Sequence, residues 1–102
     1  MLLYEVTLDT EPDIAEEVEE HMRKSHIPAI AATGCFRQIR FCRSASGRFR
    51  TSYEAENQAD LDRYLRDHAP ALRHEFSREF PKGVALSRET WALREVWGEV
   101  LS

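Results

Sequence analysis

Glycine is scarce here, with four residues in a chain of 102. They stand at Gly34, Gly47, Gly83 and Gly98, too scattered to form a loop that cradles a phosphate, so a nucleotide site of the Gly-rich kind is excluded. Long apolar runs are missing as well. No stretch approaches the roughly 18 residues that would span a bilayer, and no basic N-region precedes an apolar core. The expectation is a soluble, cytoplasmic protein without a membrane partner.

Cysteine is limited to Cys35 and Cys42, with no Cys-x-x-Cys. Both read as lying on one strand, where seven residues of extended chain separate them by about 20 Å and turn them to opposite faces. A disulfide needs Cα atoms within about 7 Å, so two free thiols are expected in a reducing compartment. An excess of positive charge is also lacking, the net charge being -4, which argues against general nucleic-acid affinity. The Arg-rich segment Gly47–Tyr53 lacks the glycine and aromatic spacing of an RNA-recognition motif. There is no Ser–His–Asp spacing for a triad. Four histidines are present, but no pair is four apart. His21 and His26 are five apart, and His68 and His74 six, which places each pair poorly for one ion. No metal and no cofactor are therefore expected.

What is present is a core. The chain is 42% hydrophobic and 10% aromatic, ample for one domain of this length. Leu2, Tyr4, Val6 and Leu8 alternate with Leu3, Glu5, Thr7 and Asp9, predicting a strand over residues 1–9. Pro12 suits the first turn of a helix whose stripe runs through Ile14, Val18 and Met22 to an end near Ser25. Pro28 disfavours a helical Ile27, so that helix is expected to stop or bend there. Ile27 and Ile30 then anchor a short turn, and Gly34 provides the exit. Cys35 to Ser44 and Arg48 to Glu56 read as strands joined by Ser44-Ala-Ser-Gly47, a hairpin.

Asn57 is a candidate N-cap for a second helix with the stripe Leu61, Tyr64, Leu65, His68, Leu72, Phe76 and Phe80. Pro70 within it predicts a kink or two abutting helices. Val84 to Leu93 is the last strand. The domain is thus expected to cover residues 1–93, with a tail over residues 94–102 whose Val96, Trp97, Val100 and Leu101 suit a short helix or a docking segment.

Strand, helix, strand, strand, helix, strand predicts an α+β, ferredoxin-like βαββαβ fold, a four-stranded antiparallel sheet with both helices on one face. Phe36, Trp91 and Leu93 read as apolar groups on the far face, mixed with Glu5, Gln38, Arg40 and Arg88. A face of that kind predicts burial against a second copy of the chain, a two-fold homodimer. Acids crowd the first fifth of the chain and arginines the middle. They form either solvated faces or patches that meet across a subunit boundary.

His26-Ile-Pro, Ala-Thr-Gly-Cys-Phe36 and Leu61-x-x-Tyr64-Leu with His68-Ala-Pro-Ala-Leu-Arg73 resemble a family of short bacterial proteins of unknown function. That family is placed in the dimeric α+β barrel superfamily. The resemblance covers roughly residues 1–90 and implies the fold and the dimer. Superfamily relatives include cofactor-independent monooxygenases, haem-degrading enzymes, muconolactone isomerases and small stress-responsive proteins. It also implies a cavity between sheet and helices, for which His26, Tyr53, Tyr64 and His68 are the candidate polar groups.

His26 has a plainer role open to it, capping the last helical carbonyls. His68 could equally be a core histidine bonded to a carbonyl freed at Pro70. Cys35 reads as a small buried thiol, with a nucleophile as the alternative if His26 or Arg37 lowers its pKa. The leading functional expectation is small-molecule binding without catalysis. The alternative is a cofactor-independent monooxygenase- or isomerase-type enzyme with a histidine as base.

Overall fold

The computed structural model describes residues 1–98. Four strands, β1 (Leu2–Thr10), β2 (Gln38–Arg43), β3 (Arg48–Ala55) and β4 (Val84–Ala92), form one sheet in the order β2-β3-β1-β4. Every neighbouring pair is antiparallel. The helical segments α1 (Ala15–His21), α2 (Ile27–Ala31), α3 (Gln58–Asp67) and α4 (Ala69–Glu79) complete the ferredoxin-like α+β plan.

The strand alternation works as its period of two requires. Tyr4 and Leu8 of β1 are buried beside Phe49, Thr51, Tyr53 and Ala55 of β3. Val6 lies between two core clusters and packs against both. One gathers Tyr4, Tyr53, Leu61 and Tyr64, and the other Leu8, Val18, Met22, Phe49 and Phe76. The Ser44–Gly47 turn is closed by Gly47 N–H donating to Ser44 O at 3.0 Å, with Gly47 at φ 86. Asn57 caps α3, its Oδ1 accepting from Asp60 N–H at 2.9 Å. Pro70 sits in the first turn of α4, so the second helical run is two abutting helices.

The first helix departs from expectation. It neither stops near Ser25 nor breaks before Pro28. Met22–His26 form a π-helical turn in which Ile27 N–H donates to Met22 O, and Ile27 itself is helical at φ -65, ψ -44. The reason lies in the proline. Pro28 has no N–H to give, and its ring crowds the carbonyl four residues back. Widening the preceding turn by one residue accommodates both, and α2 continues from there.

The second strand is also shorter than expected. It begins at Gln38, so Cys35 lies before it, buried, and Cys42 within it, exposed. Phe36 turns onto the helix side, its ring 5.2 Å from Tyr53 and 4.9 Å from Tyr64. Arg88 likewise belongs to the helix side, where it lines a cavity with Leu86. The far face is therefore more polar than the pattern implied. Thr7, Arg50 and Ser87 meet across three strands, as do Glu5, Ser52 and Glu89, and beside them Leu3 pairs with Trp91, which is 49% exposed.

The acidic helix and the basic hairpin meet inside the chain. Arg43 donates to Glu16 at 2.8 Å and to Glu19 at 3.4 Å. Residues beyond β4 run on without helix as far as Gly98, with Val96 and Trp97 exposed. Val100 and Leu101, expected to belong to a short helix or a docking segment, lie outside the described residues.

Candidate functional site

The seam between the two core clusters is not filled. A cavity of about 50 Å³ lies there, between sheet and helices. Tyr4, Val6 and Leu8 of β1 form its floor, because alternate residues of a strand share a face. Met22, His26 and Ile30 come from the first helical run, and Tyr64 from α3. Leu72, Arg73, Phe76 and Ser77 of α4 face Leu86 and Arg88 of β4 across the opening. The spacing 72, 73, 76 and 77 is one helix face, and 86 and 88 one strand face.

His26 and Tyr64 are thus brought to one cavity. Tyr53 and His68 are not. Tyr53 is 2% exposed and shut beneath Tyr4 and Phe36. His68 is the hinge residue between α3 and α4, its ring stacked beside Tyr64 at 6.4 Å.

The first helix continues through His26, so the capping role does not apply. Its Nδ1 is buried without a hydrogen-bond partner, 3.8 Å from Glu75 Oε2. Burial holds the imidazole below the usual histidine range, against the pull of the Glu75 carboxylate. Burial likewise pushes the Tyr64 phenol up to about 12, with Tyr4 adding to the shift and Arg73 opposing it. Tyr64 is a neutral hydroxyl at any physiological pH.

Two arginines escaped the sequence reading as site residues. Arg73 Nη2 donates to Tyr4 Oη at 3.0 Å and stands at the rim. Arg88 lies on the cavity wall. Neither is within ion-pair distance of a carboxylate among the described residues. Signals for both existed. Arg73 closes the His68-Ala-Pro-Ala-Leu-Arg73 motif, and Arg88 is a charge in register with Leu86 on an inward strand face. The second helical contact was less legible. His21 Nε2 lies 3.3 Å from Glu75, and His26 approaches the same carboxylate because the π turn brings residues five apart onto one side. The π turn thus gives two histidines five apart a carboxylate in common.

Solved structures share this architecture. A candidate antibiotic biosynthesis monooxygenase from Deinococcus radiodurans superposes with a TM-score of 0.73 at 15% identity, over 98% of this chain and 99% of its own. An ethyl tert-butyl ether d (ethd) family protein from Bacillus halodurans gives 0.65 at 18% identity, over 87% of this chain and 97% of its own. A candidate antibiotic biosynthesis monooxygenase from Nitrosomonas europaea gives 0.63 at 14%, over 90% and 97%. At these identities the likeness establishes a common fold. No curated protein matches the sequence at a significant level. Residues 1–95 match the family described as a domain of unknown function, DUF4286, and with nearly the whole chain matched the protein belongs to that family.

Proposed function

We propose that the protein is a cytoplasmic homodimer that binds a small organic anion between sheet and helices, without turnover. The observation that carries this reading is the pair Arg73 and Arg88. Two guanidinium groups with no carboxylate partner among the described residues flank an opening whose walls are otherwise mostly apolar and aromatic. Pockets that bury an apolar body and fix one polar end have this composition. Arginine suits the anionic end, since its planar fork meets a carboxylate or phosphate with two parallel hydrogen bonds.

Size narrows the class. About 50 Å³ is far below the roughly 300 Å³ at which drug-sized pockets begin. Only the short apolar part of a ligand fits inside, with its anionic group at the rim beside Arg73 and Arg88. The dimer is supported by Trp91 and by the mixed signs on the far face of the sheet, where Glu5 and Glu89 stand against Arg40 and Arg50. A two-fold axis through that face would set acids over bases.

A thermal-shift and NMR titration with short aliphatic and aromatic carboxylates and phosphates tests the pocket. Stabilisation by at least one of them, lost in Arg88→Ala and Arg73→Ala, is expected. Equal stabilisation of wild type and both variants, or none in any, would refute it. Light scattering of wild type and Trp91→Glu tests the pairing, with twice the chain mass for wild type and less for the variant as the expected result.

A second reading rests on His26. A buried imidazole lacking a partner at Nδ1, on the wall of the same cavity as Tyr64, is the arrangement a cofactor-independent monooxygenase- or isomerase-type enzyme needs for a base. Slow chemical conversion of a bound ligand, abolished in His26→Gln, would favour it over simple binding.

A further inference from the structure

His21, His26 and Glu75 offer one ligand atom each within 4.8 Å of one another. Their convergence is a consequence of the π turn. In a regular helix five residues turn through about 140° beyond one full circle, which sends the first and last to different sides. One extra residue in the turn returns them to the same side, facing α4. There Glu75 places both carboxylate oxygens 3.3 Å from His21 Nε2 and one of them 3.8 Å from His26 Nδ1.

His21 and Glu75 are within hydrogen-bond reach, whereas His26 is not, and a metal ion accommodates all three. With bonds of about 2.0–2.2 Å to imidazole nitrogen and carboxylate oxygen, tetrahedral ligand atoms sit about 3.3–3.6 Å apart. The His21–Glu75 separation of 3.3 Å is already in that range, the His26–Glu75 separation of 3.8 Å is a few tenths of an ångström outside it, and the two imidazole nitrogens, within 4.8 Å of each other, close in when an ion draws them together. An ion pair between His21 and Glu75 would explain those two residues alone. It leaves His26 Nδ1 buried and unsatisfied, with its side chain 13% exposed, a condition native structures avoid.

Phe76 and Phe80 complete the surroundings. The Phe76 ring meets His26 edge-on at 5.3 Å, and the Phe80 ring meets His21 at 5.4 Å. They fix both imidazoles and shield one side of the cluster. The Glu75 side chain is 46% exposed, so the opposite side is open.

We propose that His21, His26 and Glu75 bind one divalent transition-metal ion of the zinc class, leaving a coordination position open to solvent. Two imidazoles and one carboxylate suit zinc, cobalt, nickel or ferrous iron and are a poor set for magnesium or calcium, which take oxygen ligands. Three protein ligands with a vacant position mark a reactive or exchangeable site, since closed structural sites use four. The metal site is independent of the anion reading. It is exclusive of the base reading, because an imidazole ligated through Nδ1 keeps its proton on Nε2 and has no lone pair left to accept another.

The test uses untagged full-length protein stripped with a chelator and titrated with Co2+, whose visible absorption reports its coordination. One Co2+ per chain, an absorption band characteristic of nitrogen and oxygen ligands, and bleaching of that band by Zn2+ are expected. Glu75→Gln and His21→Asn should each weaken binding by about a hundredfold or more, given that loss of even the outer partners of metal ligands costs about 10–100-fold. His74→Ala, an exposed histidine beside Glu75, should bind as wild type does, and circular dichroism confirms that each variant is folded. If a variant fails to fold, the wild-type spectrum and its stoichiometry decide. No saturable band up to millimolar Co2+, or undiminished affinity in folded Glu75→Gln, overturns the proposal.

Discussion

β3 and β4 flank the same strand and meet with opposite fates. Phe49, Thr51, Tyr53 and Ala55 of β3 are at most 2% exposed, sealed beneath the helices. No residue of β4 is buried, and Leu86, which pairs with Leu8 as Phe49 does from the other side, is 38% exposed. Alternation alone does not distinguish the two strands. The difference is where the helical layer ends. β3 builds the core, whereas β4 forms the open wall of the cavity and brings Leu86 and Arg88 to it. Core packing and the cavity opening are thereby assigned to different strands of one sheet.

The contrast is sharpest at Phe49. Phe49→Ala removes a ring that is fully buried against Leu8, Val18 and Phe41 neighbours of its cluster, and should cost about 3–5 kcal/mol in urea unfolding, given the cavity left behind. A loss near that expected for a surface site would erase the distinction between the strands.

Gly83 is the place where the start of β4 is gripped. Its carbonyl accepts from Glu11 N–H at 2.8 Å, its φ is +84, and an added Cβ would lie 2.8 Å from Ile14 Cδ1. Gly83→Ala should therefore cost about 1–3 kcal/mol through left-handed backbone strain, more than any truncation on the exposed part of β4. Urea unfolding of this variant beside Leu86→Ala checks the ranking.

The sealed side should also reveal itself in alkali. Burial raises the Tyr53 and Tyr64 phenols, so the folded chain keeps protons that the unfolded chain releases. More protons bound in the folded state means stability falls as pH rises from about 10, the unfolded value, towards and beyond 12. Tyr64→Phe should flatten part of that fall in chemical denaturation at stepped pH. An unchanged slope would place the Tyr64 hydroxyl in water. Smallest of all is Leu86→Ala, which should cost less than about 1 kcal/mol because its side chain stays partly in solvent. A larger loss would show that Leu86 is covered in solution, as an occupied cavity would require.

Much of the fold was legible because it rests on periodicities. The stripe from Leu61 to Phe80, the hairpin turn at Ser44–Gly47 and the Asn57 cap each follow from local chemistry, and each stands where the pattern put it. Phe36 misled because alternation was carried two residues past the true start of β2. Of the site, His26 and Tyr64 reach the cavity on the strength of family motifs, whereas Tyr53 and His68 do not. A polar group on an inward stripe is not yet a group on a cavity wall, since that depends on whether a neighbour fills the space.

By itself the sequence determined the order of elements, the faces of most strands and the position of the disturbance at Pro28, because these follow from side-chain period and backbone sterics within a few residues. Tertiary structure decided the rest. It chose to widen the helix before Pro28 rather than end it, which set His21 and His26 against a glutamate on another helix. It left two arginines without a carboxylate partner among the described residues at an unfilled seam between core clusters. Both outcomes turn on packing between segments some fifty residues apart, and no local pattern encodes which of two sterically allowed arrangements that packing selects.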